Sequence, residues 1–299
     1  MAPTLALPIT AHTALVGVLG DPVRHSLSPV MHNAALTELG LDWIYLALPT
    51  PSYQLEAVTQ GLAAIGCRGL NVTIPHKQAV ARLCRQLTPL AERVGAVNTL
   101  MPLEGGGWLG TNTDVEGFLA PLRGGEWRGK RAVVLGCGGS ARAVVAALVE
   151  LGCGEILLAG RRPETLRAFE APCQLWAPQL KTVDWSELNS QLAAAALVVN
   201  CTPVGMTSGT DPMASRQSPL SPGQLDQLPT TATVYDLIYV PRPTSLLAAA
   251  ATRGCRTIDG LEMLVQQGAA ALRLWSGVLE VPVTAMRAAA EAALAAQST

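Results

Sequence analysis

The stretch Val133-Val134-Leu135-Gly136-Cys137-Gly138-Gly139-Ser140-Ala141 decides the fold. Apolar residues suited to a strand run into a G-x-G-x-x-A pattern, and Arg142–Leu148 continues as an Ala- and Val-rich helix. Strand, glycine turn and helix in that order are the setting in which this pattern binds a dinucleotide. Gly136 permits the tight turn, Gly138 lets backbone approach a pyrophosphate, and Ala141 lets the helix lie close on the strand. The helix start then offers free N–H groups and a positive dipole end to the phosphates.

The strand that follows selects the nucleotide. An NAD site wants Asp or Glu at its end, to accept from the ribose 2′-hydroxyl. Here the strand Glu155–Ala159 runs into Gly160-Arg161-Arg162. Two guanidiniums suit a 2′-phosphate, because Arg offers planar, charge-assisted donors. NADP is the expected cofactor.

Working outward, strands and helices alternate along the chain, which implies βαβ units and parallel sheets. Before the glycine turn the pattern places strands at 14–19, 43–48 and 68–72, with helices at 29–39 and 52–65. Ser28 followed by Pro29 reads as an N-cap and first helical residue. Glu104–Gly107 reads as a hairpin turn, and 121–129 as a polar, Gly-rich connection. Beyond it come strands at 132–135, 155–159, 197–200 and 233–237, a helix at 244–253, and a helical tail from Leu261. On that tail Leu261, Leu264, Val265, Leu272 and Trp275 form an apolar stripe, and Met263 and Gln267 share a face.

At 299 residues, with 49% hydrophobic and 14% charged residues, the chain is long and apolar enough for two folded domains. The expected class is α/β with two domains. A substrate-binding catalytic domain takes residues 1–113, a Rossmann-type, doubly wound parallel sheet takes 114–259, and 260–299 are C-terminal helices. A net charge of −1 gives no electrostatic support for nucleic acid or an anionic membrane. A small-molecule partner is expected. Seven scattered cysteines without a CxxC pair suggest neither a disulfide framework nor a zinc site, so reduced thiols in a cytoplasmic protein, with no metal, are expected. The N-terminus, MAPTLALPIT, lacks a basic region and reads as no signal peptide.

A second cluster carries chemistry: Asn71-Val72-Thr73-Ile74-Pro75-His76-Lys77. Pro75 stops the strand, which puts Thr73 and Lys77 at or beyond its C-terminal end, where α/β proteins bind ligands. Reducing a carbonyl requires a proton as hydride arrives, and a Lys ammonium can supply it. Asp114, at the expected domain joint, is placed to face Lys77 and the cofactor. Ser26 and Ser28 put two hydroxyls at a helix N-terminus, which suits a carboxylate. Asn98 offers an amide at a strand's start. His25 and His76 lack an identified acidic partner and are read as supporting residues.

Over essentially its whole length the chain resembles shikimate dehydrogenases. The segments that carry the resemblance are SLSP at 26–29, NVTIPHK at 71–77, GAVNT at 95–99 and NTD at 112–114. GCGGSARA at 136–143, NCTPVGM at 200–206, YDLIY at 235–239 and DGLEMLVQQ at 259–267 follow in the same order. The resemblance implies substrate contacts at Ser26, Ser28, Thr73, Asn98, Tyr239 and Gln267. It gives Lys77 the proton at the reacting oxygen, with Asp114 orienting it. For NADP it implies Gly136, Cys137, Gly138, Gly139, Ser140, the 160–165 loop with Gly160, Arg161, Arg162 and Thr165, and also Leu237 and Gly260. Asn200, Thr202 and Met206 would lie near the nicotinamide half. It makes the substrate domain discontinuous, the tail helix returning to it, and allows a monomer or a homodimer. The implied reaction is reversible, NADPH-dependent reduction of 3-dehydroshikimate to shikimate, on the route to chorismate and the aromatic amino acids. A broader quinate/shikimate dehydrogenase is the nearest alternative, and a non-catalytic ligand sensor of the same fold is a distant one. One departure stands out: relatives commonly read Asn-Arg-Thr where this chain has Gly160-Arg161-Arg162.

Overall fold

In the computed structural model, which describes residues 8–207, 211 and 213–297, the alternating pattern folds into two units. One comprises the chain up to Gly117 together with Leu264 onward, and the other Phe118–Met263. The N-terminal stretch read as no signal peptide falls mostly on residues 1–7, outside the described residues.

The first unit begins β1 (Ala14–Gly20), α1 (Ser28–Glu38), β2 (Trp43–Pro49), α2 (Leu55–Ala64) and β3 (Gly69–Val72). Next come β4 (Gln86–Leu87), α3 (Pro89–Val94), β5 (Thr99–Pro102), β6 (Trp108–Thr111) and α4 (Asp114–Leu119). Its sheet runs β2-β1-β3-β5-β6-β4. The first three strands are parallel, as expected, but β5 is antiparallel to both β3 and β6. The reason is local. Glu104–Gly107 closes a hairpin with Gly105, Gly106 and Gly107 all at positive φ, so β6 must return against β5. Leu19, Leu70, Val72, Val97, Leu100 and Trp108 pack into one core. Truncating Leu70 to alanine there would cost about 2–5 kcal/mol.

One helix start differs from expectation. Ser28 is the first residue of α1, and Leu27 holds the cap position without a side-chain bond. The Ser26 hydroxyl instead accepts from the Ser28 N–H at 3.2 Å. A serine two residues upstream thus serves the turn, and Ser28 keeps its own hydroxyl for other partners.

The second unit continues with β7 (Arg131–Leu135), α5 (Gly139–Glu150), β8 (Glu155–Gly160), α6 (Pro163–Glu170), β9 (Leu180–Asp184) and β10 (Ala195–Asn200). After α7 (Pro222–Leu225) come β11 (Thr233–Asp236), α8 (Ser245–Thr252) and β12 (Arg256–Ile258). All six strands are parallel, in the order β12-β11-β10-β7-β8-β9. Counted within the unit, this is the doubly wound order 3-2-1-4-5-6, whose direction reverses between β7 and β10. Val133, Leu135, Val198, Val234, Leu246 and Leu247 help to form its core. Strands buried on both faces need such continuous apolar runs.

The chain ends with α9 (Gly260–Ser276) and α10 (Val283–Gln297). The joints expected at 113/114 and 259/260 mark the starts of α4 and α9, and the boundary between the units falls about a helical turn later, inside those helices. On α9, Leu261, Val265 and Leu272 are buried, while Leu264 and Trp275 are half-buried. Among the described residues no helix is long and apolar enough to cross a membrane, and no cluster of His, Cys, Asp and Glu could hold a metal ion. All seven cysteines are unpaired thiols.

Candidate functional site

Lys77 and Asp114 meet in the first unit. Lys77 Nζ donates to Asp114 Oδ2 at 2.6 Å, with side chains 13% and 6% exposed. One turn and a backbone bond hold the lysine. The His76 N–H donates to the Thr73 carbonyl at 2.9 Å, and the His76 ring lies buried with Nε2 2.6 Å from the Thr50 carbonyl oxygen. The Lys77 carbonyl accepts from Val97 N–H at 2.8 Å, which ties the lysine to the strand start at β5. Asp114 opens α4, where its charge suits the helix dipole. Its own N–H donates to Asn112 Oδ1 at 3.0 Å.

Asn98 is the hub of this unit. Its amide donates to Asp114 Oδ1 at 2.8 Å and approaches Gln267 Oε1 at 3.4 Å. Its carbonyl oxygen accepts from Thr113 N–H at 2.7 Å and from the Thr99 hydroxyl at 3.0 Å. Asn71 donates to Thr99 at 3.2 Å and accepts from the Tyr45 phenol at 2.8 Å. Buried polar groups without partners are costly, and these are satisfied by one another. The carboxylate is therefore fixed from two sides, and one ammonium remains partly open to an incoming oxygen.

Other sequence-predicted residues take separate places. Thr73 directly follows β3, its N–H on the Leu19 carbonyl at 2.9 Å. Ser28 is buried, with its hydroxyl at the Tyr45 phenol, and Ser26 is half-buried. His25 is exposed. Gln267 Nε2 donates to the Leu264 carbonyl at 2.8 Å, leaving the amide oxygen for Asn98. Tyr239 belongs to the second unit, whereas the other predicted substrate residues belong to the first, and burial pushes its phenol pKa up.

The second unit presents a site made mainly of backbone. Gly136 has φ +98°, and a Cβ there would lie 2.8 Å from the Thr202 methyl group. Gly138 caps α5 without any side-chain bond, and a Cβ at Gly138 would meet nothing within 4 Å. Open space above a glycine, beside first-turn N–H groups that no side chain caps, fits a pyrophosphate. Gly260 lets α9 approach β11's exit, since a Cβ there would strike the Leu237 carbonyl. Arg161 and Arg162 are exposed after β8, and Thr165 is half-buried in α6. The Arg162 charge acts on the Cys137 thiol, although burial outweighs it and raises that pKa. A Cβ at Gly160 would lie 2.7 Å from Cys137 Sγ, so this thiol fills the space that a larger residue at 160 would need.

At the reversal point, Asn200 Oδ1 accepts from the Thr202 N–H and hydroxyl at 3.0 and 2.7 Å. Its amide donates to Asp236 Oδ1 at 2.9 Å. The buried Asp236 also accepts from Ile238 N–H and from the Thr244 hydroxyl at 3.1 and 2.7 Å. Burial raises the Asp236 pKa against the pull of these donors. Met206 is exposed.

Sequence reasoning passed over Asp236, Thr244, Tyr45, Thr113 and His32 as functional residues. For Tyr45 and Asp236 a signal existed, a polar group inside an apolar strand run, but its partners lie 26 and 36 positions away in sequence.

An all-parallel sheet with a glycine turn beside its reversal point, joined in one chain to a buried lysine–carboxylate pair, defines an α/β oxidoreductase of the dinucleotide-binding type. Residues 18–100 match the shikimate dehydrogenase substrate binding domain, and residues 260–291 the shikimate 5'-dehydrogenase C-terminal domain. A shikimate dehydrogenase (NADP(+)) of a Synechococcus strain is 53% identical over 287 residues, 96% of this chain and 98% of the relative. The solved shikimate 5-dehydrogenase of Thermus thermophilus, in complex with NADP(H) and shikimate, is 37% identical with a TM-score of 0.82, over 94% of this chain and 100% of that one. A quinate dehydrogenase of Corynebacterium glutamicum in complex with NAD is 30% identical with a TM-score of 0.83, over 94% and 99%. The chain belongs to the shikimate dehydrogenase family.

Proposed function

We propose that the protein is an NADP-dependent shikimate dehydrogenase that reversibly reduces 3-dehydroshikimate to shikimate. The observation that carries this reading is the 2.6 Å Lys77–Asp114 pair held through Asn98 to Gln267. NADPH, when bound, supplies the hydride that adds to the carbonyl carbon. Lys77 Nζ holds the proton that the carbonyl oxygen takes up, and in the reverse direction receives it from the hydroxyl. Asp114 keeps the ammonium oriented, and its second oxygen, held by Asn98, cannot turn away. Thr73, Ser26, Ser28, Asn98, Gln267 and Tyr239 bind the hydroxyls and the carboxylate of the ring. Gly136–Ser140 take the pyrophosphate and Arg161, Arg162 and Thr165 the 2′-phosphate side, Leu237 and Gly260 also contact the cofactor, and Asn200, Thr202 and Met206 lie near its nicotinamide half. The enzyme works in the cytoplasm, as a monomer or homodimer, without a membrane or nucleic-acid partner.

The test is an assay with shikimate and quinate, each with NADP and NAD. Quinate is saturated at the carbon bearing its carboxylate and carries an extra hydroxyl there. Small serines at the fixed start of α1 leave that hydroxyl to clash or go unpaired, at about 1–3 kcal/mol. Shikimate with NADP should therefore lead by roughly one to two decades in kcat/KM. Equal rates on both acids would make this a broader quinate/shikimate enzyme. No turnover of either would overturn the reading.

A further inference from the structure

The chemistry above makes no use of the imidazole of His32. It lies on α1, one turn after Ser28, and is fully buried. Nδ1 stands 2.9 Å from the Ser28 carbonyl oxygen, and Nε2 3.3 Å from the carbonyl oxygen of Gly268, the residue after Gln267. The ring stacks on Tyr45, with centroids 4.0 Å apart and planes 15° from parallel, and Trp275 flanks it at 5.9 Å. Tyr45 in turn reaches the Ser28 hydroxyl and Asn71. The neighbouring Asn33 grips the Tyr45 backbone from both sides, donating to its carbonyl and accepting from its N–H.

Gly268 is an independent mark of the same contact. Within a 17-residue helix, glycine is the poorest ordinary residue after proline. A Cβ at Gly268 would lie 2.9 Å from His32 Cε1. The glycine is what admits the imidazole to the α9 backbone. Both facing atoms are carbonyl oxygens, which only accept, and a neutral imidazole has a single N–H to give. Burial pushes the ring's pKa down to about 4 despite those two carbonyls, so at neutral pH it carries that one proton. The shorter contact, to Ser28, takes it in the assignment we favour.

We propose that His32 is a positioning residue: it donates to the Ser28 carbonyl in the first turn of α1, and its ring seats against the α9 backbone at Gly268, so that Ser28 and Gln267 meet one ligand at a set separation. This rests on the reading of those two residues as shikimate contacts. A pair of groups that must engage one rigid ring loses affinity when their spacing loosens, while the proton donor is untouched.

The experiment is steady-state kinetics with direct NADP titration on the full-length enzyme. His32→Phe keeps the stack and removes both polar contacts. His32→Asn places an amide near Nδ1, and His32→Gln places one near Nε2. His32→Phe should raise the shikimate KM roughly tenfold or more, with kcat within about threefold. NADP affinity should not move, and His32→Asn should recover part of the loss. Gly268→Ala, which leaves His32 in place but drives its ring off α9, should raise the shikimate KM in the same way and guards against a His32 variant that does not fold. Folded variants with an unmoved shikimate KM would overturn the inference. So would equal weakening of shikimate and NADP, which marks general loosening. Absence of shikimate turnover by the unsubstituted enzyme would overturn both readings, whereas turnover with an unmoved KM would overturn this one alone.

Discussion

The two units hold their chemistry by different means. In the first, the proposed proton-transfer pair sits in a chain of side chains that hold one another: Lys77 by Asp114, Asp114 by Asn98, Asn98 by the hydroxyls of Thr99 and Thr113. In the second, the cradle proposed for the phosphates is the backbone of Gly136–Ser140, set by a positive φ at Gly136 and the start of a 12-residue helix. A backbone site tolerates exchange of the side chains around it, because N–H groups belong to every residue except proline. A side-chain network has no such reserve. Removing one member both subtracts its own contact and strands a buried partner.

The widest effect that tests this contrast is Lys77→Ala. It should lower kcat by roughly two to four decades, the usual loss for a general acid, with a much smaller change in the shikimate KM. Steady-state kinetics showing near-normal kcat would remove the lysine from the chemistry and break the comparison at its first unit.

In the proposed function the second unit's exception to backbone binding is its arginine pair. Replacing Arg161 and Arg162 together should weaken NADP binding by about 2–4 kcal/mol, counting each as one charged hydrogen-bond partner. NAD, with no 2′-phosphate, should bind nearly as before. Titration of both cofactors decides it. Equal weakening would mean that the arginines serve the pyrophosphate or the fold.

A smaller effect separates the units by pH. His32 in the first unit has a folded pKa near 4 against 6.5 unperturbed, so between those values the unfolded chain binds a proton that the folded one does not. Stability should fall as pH drops through that window, by up to about 3 kcal/mol from this group. Asp236 in the second unit acts with the opposite sign. Its folded pKa is raised by burial, so its contribution is fullest in acid and is lost as pH rises. Urea unfolding at pH 7 and pH 4.5 checks the point. His32→Phe should shrink the acid loss relative to wild type, and an unchanged loss would mean that the imidazole is not buried neutral.

How much of this was readable beforehand follows the same division. The glycine turn, its strand and its helix lie within some twenty consecutive residues, and local sterics dictate their form. Arg161 and Arg162, directly after β8, could be nominated for the same reason. In the first unit the parallel start and the hairpin turn at 104–107 were legible, but the extents of β5 and β6 were not, because four-residue strands carry too little periodicity. Lys77 and Asp114 were expected to face each other, but nothing local along the chain fixed how they meet. Their 2.6 Å contact joins residues 37 apart and depends on β3, β5 and α4 being placed around it.

The sequence by itself determined a doubly wound dinucleotide unit and a preference for NADP, and it singled out the lysine and the aspartate proposed as the reacting pair. Each of these rests on neighbours along the chain or on motifs short enough to be read locally. Only the tertiary structure decided that Asn98 is the hub, that Asp236 anchors Asn200, and that His32 sits between the carbonyls of Ser28 and Gly268. The last contact spans 236 positions. A hydrogen bond depends on distance and direction between two atoms, and for residues that far apart both are set only when the sheet and its helices have packed.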